Sequence, residues 1–169
     1  MKKSLIIGVM GGGKADSYTT QIAYRLGSLI AKEGWILLNG GRKTGVMEAS
    51  AKGAWDHGGI TVGILPDADI DSASPYIVIP ILTGMGAARN CINVLSSDAV
   101  VACPGGAGTL TEIALAIKYE KAVIFLDFEV INFFRRFGGK SGLFYVRTPE
   151  EAIDVIKRLF PLGSKQTGG

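Results

Sequence analysis

The chain has 169 residues, 47% of them hydrophobic and 20% charged, with a net charge of +3 and 24 glycines. That length makes one domain with a proper core, and that composition excludes a disordered chain. The mild charge, without any Lys/Arg block, gives no reason to expect a nucleic-acid partner.

Leu5–Val9 is a short, fully apolar run, the mark of a parallel strand buried on both faces. After "GGGKADS", Asp16 or Ser17 is placed to cap a helix that carries Ile22, Leu26, Leu29 and Ile30 on one stripe and ends at Gly34. Trp35–Leu38 reads as the second strand, followed by "NGGRKTG", a helix over Val46–His57 and a third strand, Ile60–Leu65. The polar "PDADIDSASP" leads to a fourth strand, "YIVIPI", and "GMGAARNCINVLSS" reads as a helix. Then come the strand "DAVVAC", the loop "PGGAGT", the helix "LTEIALAIKYE" and the strand "KAVIFLD". "FEVINFFRRFGGKSG" is irregular, "LFYV" adds a final strand, and "TPEEAIDVIKRLF" is a helix with Thr148 as cap and Pro149 in its first turn.

This alternation predicts an α/β, Rossmann-like, doubly wound sheet of six to seven mainly parallel strands with helices on both faces. Residues 1–162 form the single domain and 163–169 a loose tail. Ligands of such sheets bind beyond the carboxyl ends of the strands, where the strand order reverses. Three glycine loops converge on that edge, so a phosphate-bearing ligand is expected there. The candidate contacts are Gly11, Gly12, Gly13 and Lys14 in the first loop and Gly40 and Gly41 in the second. Gly105, Gly106, Ala107, Gly108 and Thr109 are those of the third.

Loop one imitates a P-loop, since Gly8, Gly13 and Lys14 have the G-x-x-x-x-G-K spacing. Ala15 stands where the Mg²⁺-binding hydroxyl should be, and Asp16 would set a carboxylate beside phosphates, which argues against triphosphate hydrolysis. The dinucleotide fingerprint G-x-G-x-x-G fails too, because Asp16 takes the place of its third glycine. In "PGGAGTLTE" the amides near Gly106–Thr109 can face an anion, while Thr109 and Glu112 have the S/T-x-x-E spacing of a capping box.

"PGGAGTLTE" resembles the P-G-G-x-G-T-x-x-E signature of the LOG family, once labelled lysine decarboxylases, and "GGRKTGVMEASAKGA" resembles its second glycine loop. The resemblance implies a phosphoribohydrolase that cleaves the N-glycosidic bond of cytokinin or purine nucleoside 5′-monophosphates to base and ribose 5-phosphate. It assigns Glu112 and Arg89 as the catalytic pair. "GMGAARNCIN" departs from the family's M-x-x-R-K, since Arg89 lies one residue further from Met85 and Asn90 replaces the lysine. G-x-x-R-N resembles instead the branch with the molybdenum-cofactor carrier proteins, which bind a phosphate-bearing pterin. That branch implies a carrier whose molybdenum cofactor is a carried ligand, with no cofactor required by the protein itself. Both functions stay open on the sequence.

The helix Leu110–Tyr119 is apolar almost all round, which predicts burial in the core or a homodimer or larger homo-oligomer through it. His57 reads as a helix-end residue, and Asn39 and Lys43 as second-loop candidates for ligand contact. Cys91 and Cys103 do not form a C-x-x-C pair and there is one histidine, so no metal site is expected, only reduced core thiols in a cytoplasmic protein. The apolar stretch near the start is about six residues, too short for a signal peptide, and no run approaches the roughly 18 of a membrane span.

Overall fold

A computed structural model describes residues 4–138 and 142–161. Its seven strands are β1 (Ile6–Met10), β2 (Ile36–Asn39), β3 (Thr61–Leu65), β4 (Ile79–Leu82), β5 (Ala99–Ala102), β6 (Ala122–Leu126) and β7 (Leu143–Val146). They form one all-parallel sheet in the order β4-β3-β2-β1-β5-β6-β7. The helices are α1 (Ser17–Lys32), α2 (Gly45–Trp55), α3 (Asn90–Leu95, entered through a 3-10 turn at Gly86–Arg89), α4 (Ala107–Lys118), α5 (Ile131–Phe134) and α6 (Pro149–Leu159).

The continuous apolar runs of β5 and β6 are buried on both faces, as a parallel strand between two helix layers requires. Successive residues feed opposite cores. Val101 packs with Ile7, Leu26, Ile124 and Ile153 under α1, α2 and α6, whereas Val100 joins Met10, Ile113, Phe125 and Phe134 under α3, α4 and α5. Helices α1 and α2 cross at backbone contact, and a methyl on Gly27 would overlap the carbonyl oxygen of Ser50, as one on Gly53 would that of Tyr24.

The helix ends follow the capping chemistry in the sequence. Asp16 Oδ1 accepts the Thr19 N–H at 2.7 Å, and that bond holds the carboxyl below its ordinary pKa. Thr148 and Glu151 close a capping box on α6 with Pro149 at its first position.

Strand β4 begins later than the sequence suggests, because Thr61 occupies the preceding ladder positions. Its hydroxyl donates to the Tyr76 carbonyl at 2.6 Å and accepts the Val78 N–H at 2.9 Å. The segment expected to be irregular contains α5, pinned by Phe134 against Phe125 with ring centroids 6.3 Å apart. The expected tail, 163–169, lies outside the described residues, among which no helix is long and apolar enough to cross a membrane.

The chain runs outward from β1 to β4, then returns to the other side of β1 as β5 and continues to β7. The order therefore reverses between β1 and β5, which opens the crevice at their carboxyl ends.

Candidate functional site

Main-chain hydrogen bonds lock the loops around that crevice. The Gly12 N–H donates to the Pro104 carbonyl at 3.0 Å, joining the loops after β1 and β5, and Val46 N–H donates to the Gly12 carbonyl at 3.0 Å. Asn39, at the end of β2, is wholly buried and staples the second loop rather than facing ligand. Its Nδ2 donates to the Met47 carbonyl and to Ser50 Oγ, and its Oδ1 accepts the Gly41 N–H at 2.8 Å.

The cavity enclosed by these loops has a volume of about 270 Å³. Gly11, Gly12, Gly13, Gly40, Gly106, Gly108, Thr109, Arg89 and Glu112 all line it, so two segments 23 positions apart meet as the sequence proposed. The remaining candidates lie elsewhere. Lys14 faces a second cavity, and Gly41, Gly105 and Ala107 line neither. Gly105 is required by packing, since a methyl there would overlap Thr109 Oγ1 and crowd the Gly12 N–H. Lys43 is engaged with the Asp71 carbonyl at 2.9 Å.

The capping box expected between Thr109 and Glu112 does not form. Helix α4 begins at Ala107, with Gly106 as its N-cap and no side-chain cap. Thr109 is therefore already in the first turn, and Glu112 turns to another partner. Its Oε1 accepts from Asn93 Nδ2 at 2.7 Å inside the protein, leaving Oε2 for the cavity. Burial pushes the Glu112 carboxyl above its ordinary pKa, opposed by the Asn93 hydrogen bond and by the positive charge of Arg89.

Arg89 ends the 3-10 turn before α3, and its guanidinium lies against the backbone of Gly40, where a methyl would overlap both terminal nitrogens. Burial lowers its pKa from the ordinary arginine value, partly offset by the Glu112 charge. Among the described residues, two buried side-chain polar atoms lack a hydrogen-bond partner, Arg89 Nε and Asn93 Oδ1. Each such orphan costs about 1–3 kcal/mol, so its persistence needs a reason. A ligand accepting from Arg89 supplies one. The first-turn amides of α4 add a positive helix end at Gly106–Thr109, suited to a phosphate.

The sequence reading missed Asn93 and gave Asn90 no role of its own. Asn90 lines the cavity and donates weakly to the Gly108 carbonyl at 3.5 Å. Its signal was its place directly after Arg89, whereas a lone asparagine within an apolar helix gives none. His57 bonds through Nδ1 to the Gly53 carbonyl at 2.9 Å, as a helix-end residue does. Cys103 is fully buried, with its thiol pushed up to about 12, while Cys91 is only half-buried beside Tyr119 and so is not the core thiol expected. Asp127 sits at φ +48° and accepts from the Tyr145 hydroxyl at 3.3 Å, away from the cavity.

Glycine loops, a helix N-terminus and a half-buried arginine facing the same cavity as a buried carboxylate, at the switch point of a doubly wound sheet, define the class, a Rossmann-like protein with a small-ligand crevice. The sequence profile of the SLOG cluster4 family matches residues 4–153, and the chain belongs to that family. It is similar to the molybdenum cofactor binding protein of Rippkaea orientalis, at 45% identity, a TM-score of 0.88, and coverage of 94% of this chain and 99% of that one. The molybdenum cofactor carrier protein of Chlamydomonas reinhardtii matches at 42% identity and a TM-score of 0.87, covering 93% and 98%. The cytokinin riboside 5′-monophosphate phosphoribohydrolase of Mycobacterium tuberculosis is 35% identical over 102 residues, which span 55% of this chain and about half (51%) of that protein.

Proposed function

We propose that the chain binds a phosphorylated pterin and carries the molybdenum cofactor as cargo, without turning it over. The observation that carries this reading is the likeness to cofactor-binding and carrier proteins along nearly the full length of both partners, at 42–45% identity. The site chemistry fits. The α4 amides suit the phosphate, the planar fork of Arg89 has a free buried donor, and Glu112 Oε2 takes an N–H or O–H of the ligand. No group of three His, Cys, Asp or Glu among the described residues is arranged to hold a metal ion.

One observation favours a second reading, a nucleoside 5′-monophosphate phosphoribohydrolase. Arg89 and Glu112 line the same cavity, as the LOG resemblance requires of its catalytic pair. In that reaction Glu112 would hold the ribose hydroxyls or stabilise an oxocarbenium-like transition state, and Arg89 the phosphate or departing base. Incubation with a panel of nucleoside monophosphates, assayed for ribose 5-phosphate, separates the two. The carrier reading expects no release and saturable binding of a phosphorylated pterin; release that Glu112→Gln abolishes would establish the hydrolase instead.

The proposal includes a homo-oligomer in the cytoplasm. On α4, Ile113 and Ala116 face the sheet while Leu110, Ala114 and Tyr119 are exposed, and Leu95 of the adjoining α3 is 49% exposed. Met85 and the edge strand β4, with Ile79, Ile81 and Leu82, are exposed as well. A second copy would bury exposed apolar side chains on α4 or shield the open edge of β4. Static light scattering is expected to give at least twice the 17.8 kDa chain mass at micromolar concentration, and a monomer there would overturn this part.

A further inference from the structure

A second cavity, of about 520 Å³, opens beside the first and shares Gly13 with it. The first alone falls short of the ~300–1,000 Å³ usual for small-molecule sites. Its polar groups are those for a phosphate and the atoms next to it, which leaves a bicyclic ring to be housed elsewhere.

The second cavity has the walls for a flat heterocycle. One is the half-buried Tyr76 ring, braced by Trp55 with centroids 5.8 Å apart and by Lys52, whose Nζ lies 5.4 Å from the Tyr76 centroid. Lys52 is already paired with Asp56, so it supports the ring rather than offering an open cation site. That pairing has a consequence one turn earlier. Glu48 and Lys52 have the i,i+4 order that normally joins on a helix, but Lys52 turns the other way. Glu48 is left half-buried on the cavity wall, its carboxylate without a hydrogen-bond or ion-pair partner among the described residues.

A carboxylate accepts two parallel N–H donors well. The ring edge that offers such a pair is a 2-amino-4-oxopyrimidine, with its amino group next to a ring N–H. We propose that the second cavity takes this edge of the ligand, with Tyr76 stacking on the ring face and Glu48 accepting from the amino group and ring N–H. The phosphate then lies in the first cavity at α4, and the ligand crosses the first loop at Gly13. This placement rests on the phosphorylated-pterin reading, and it makes Glu48, rather than Glu112, the residue that recognises the base.

The test titrates the full chain with 6-hydroxymethylpterin phosphate and with its lumazine counterpart, which has an oxo group in place of the amino group. Ring fluorescence is the readout, and inorganic phosphate is the competitor. The parent is expected to favour the pterin about tenfold or more, and Glu48→Gln to erase most of that preference. Tyr76→Ala is expected to weaken both ring ligands about tenfold while leaving competition by inorganic phosphate unchanged, which also reports an intact first cavity. A preference that survives Glu48→Gln, or that disappears with Glu112→Gln instead, overturns the ring placement and leaves the proposed cargo standing. A parent that binds neither ring ligand overturns the functional reading and this placement with it.

Discussion

Arg89→Met is expected to raise the stability of the free protein and to weaken its ligand binding. Arg89 Nε is buried without a partner, and burial disfavours the whole guanidinium. Methionine reaches about as far as Nε, gives up the contact that the terminal nitrogens make with Gly40, and removes the orphan donor, whose cost is about 1–3 kcal/mol. Part of that gain is lost because Glu112 no longer has a positive neighbour. A net gain of about 1–2 kcal/mol corresponds to a rise in Tm of roughly 2–8 °C for a domain of this size. Binding moves the other way. Loss of a charge-assisted bond to the ligand costs about 1.5–3 kcal/mol, or roughly 10–100-fold in Kd for the phosphorylated pterin. Thermal denaturation and the fluorescence titration check the two halves. A fall in Tm would mean that Arg89 is a structural residue satisfied within the fold, and would remove it from the site.

The sign of that trade explains why parts of the site could be read from sequence and parts could not. Strand and helix alternation follows from burial, which the apolar runs of β1, β5 and β6 report directly. The three glycine loops follow from the same periodicity, because each lies where a strand run stops and a helical stripe begins. Glycines at Gly41 and Gly105 looked the same as those at Gly106 and Gly108, yet packing or a positive φ requires the first pair, while the second pair lines the cavity with open space beside it.

The phase of α4 was the larger difficulty. Gly-Ala-Gly has no strong preference for helix or loop, so the sequence placed the helix start at Leu110 and made Thr109 its cap. Tertiary packing starts the helix at Ala107, because the loop's hydrogen bond to Gly12 fixes where Pro104 can stand. Moving the start by three residues converts Glu112 from a capping residue into a buried carboxylate. Its partner Asn93 had no signal, because an isolated asparagine within "CINVL" reads as a solvent-facing residue until the fold turns it inward.

Glu112→Gln is expected to stabilise the free protein in a pH-dependent way. Burial holds the Glu112 carboxyl above the value of about 4.3 it has in the unfolded chain. Below that value both states keep the proton and burial of the charge costs nothing. As the pH rises the unfolded chain ionises first, and stability falls until the folded carboxyl has itself titrated. Glutamine has the same shape and still accepts from Asn93 Nδ2, but it does not titrate. The Tm advantage of the variant should therefore be near zero below pH ~4 and grow with pH, to on the order of 1 kcal/mol or about 2–4 °C at neutral pH. An advantage constant from pH 4 to 8 would place its origin in packing rather than charge. Arg89 makes the argument sharper. Its charge pulls the Glu112 carboxyl down, so the neutral-pH gain from Glu112→Gln should be larger in an Arg89→Met background than in the parent, a non-additivity that a double-mutant cycle measures. Both groups would then be shown to destabilise the free fold where they face the cavity, which is the behaviour of residues kept for a ligand.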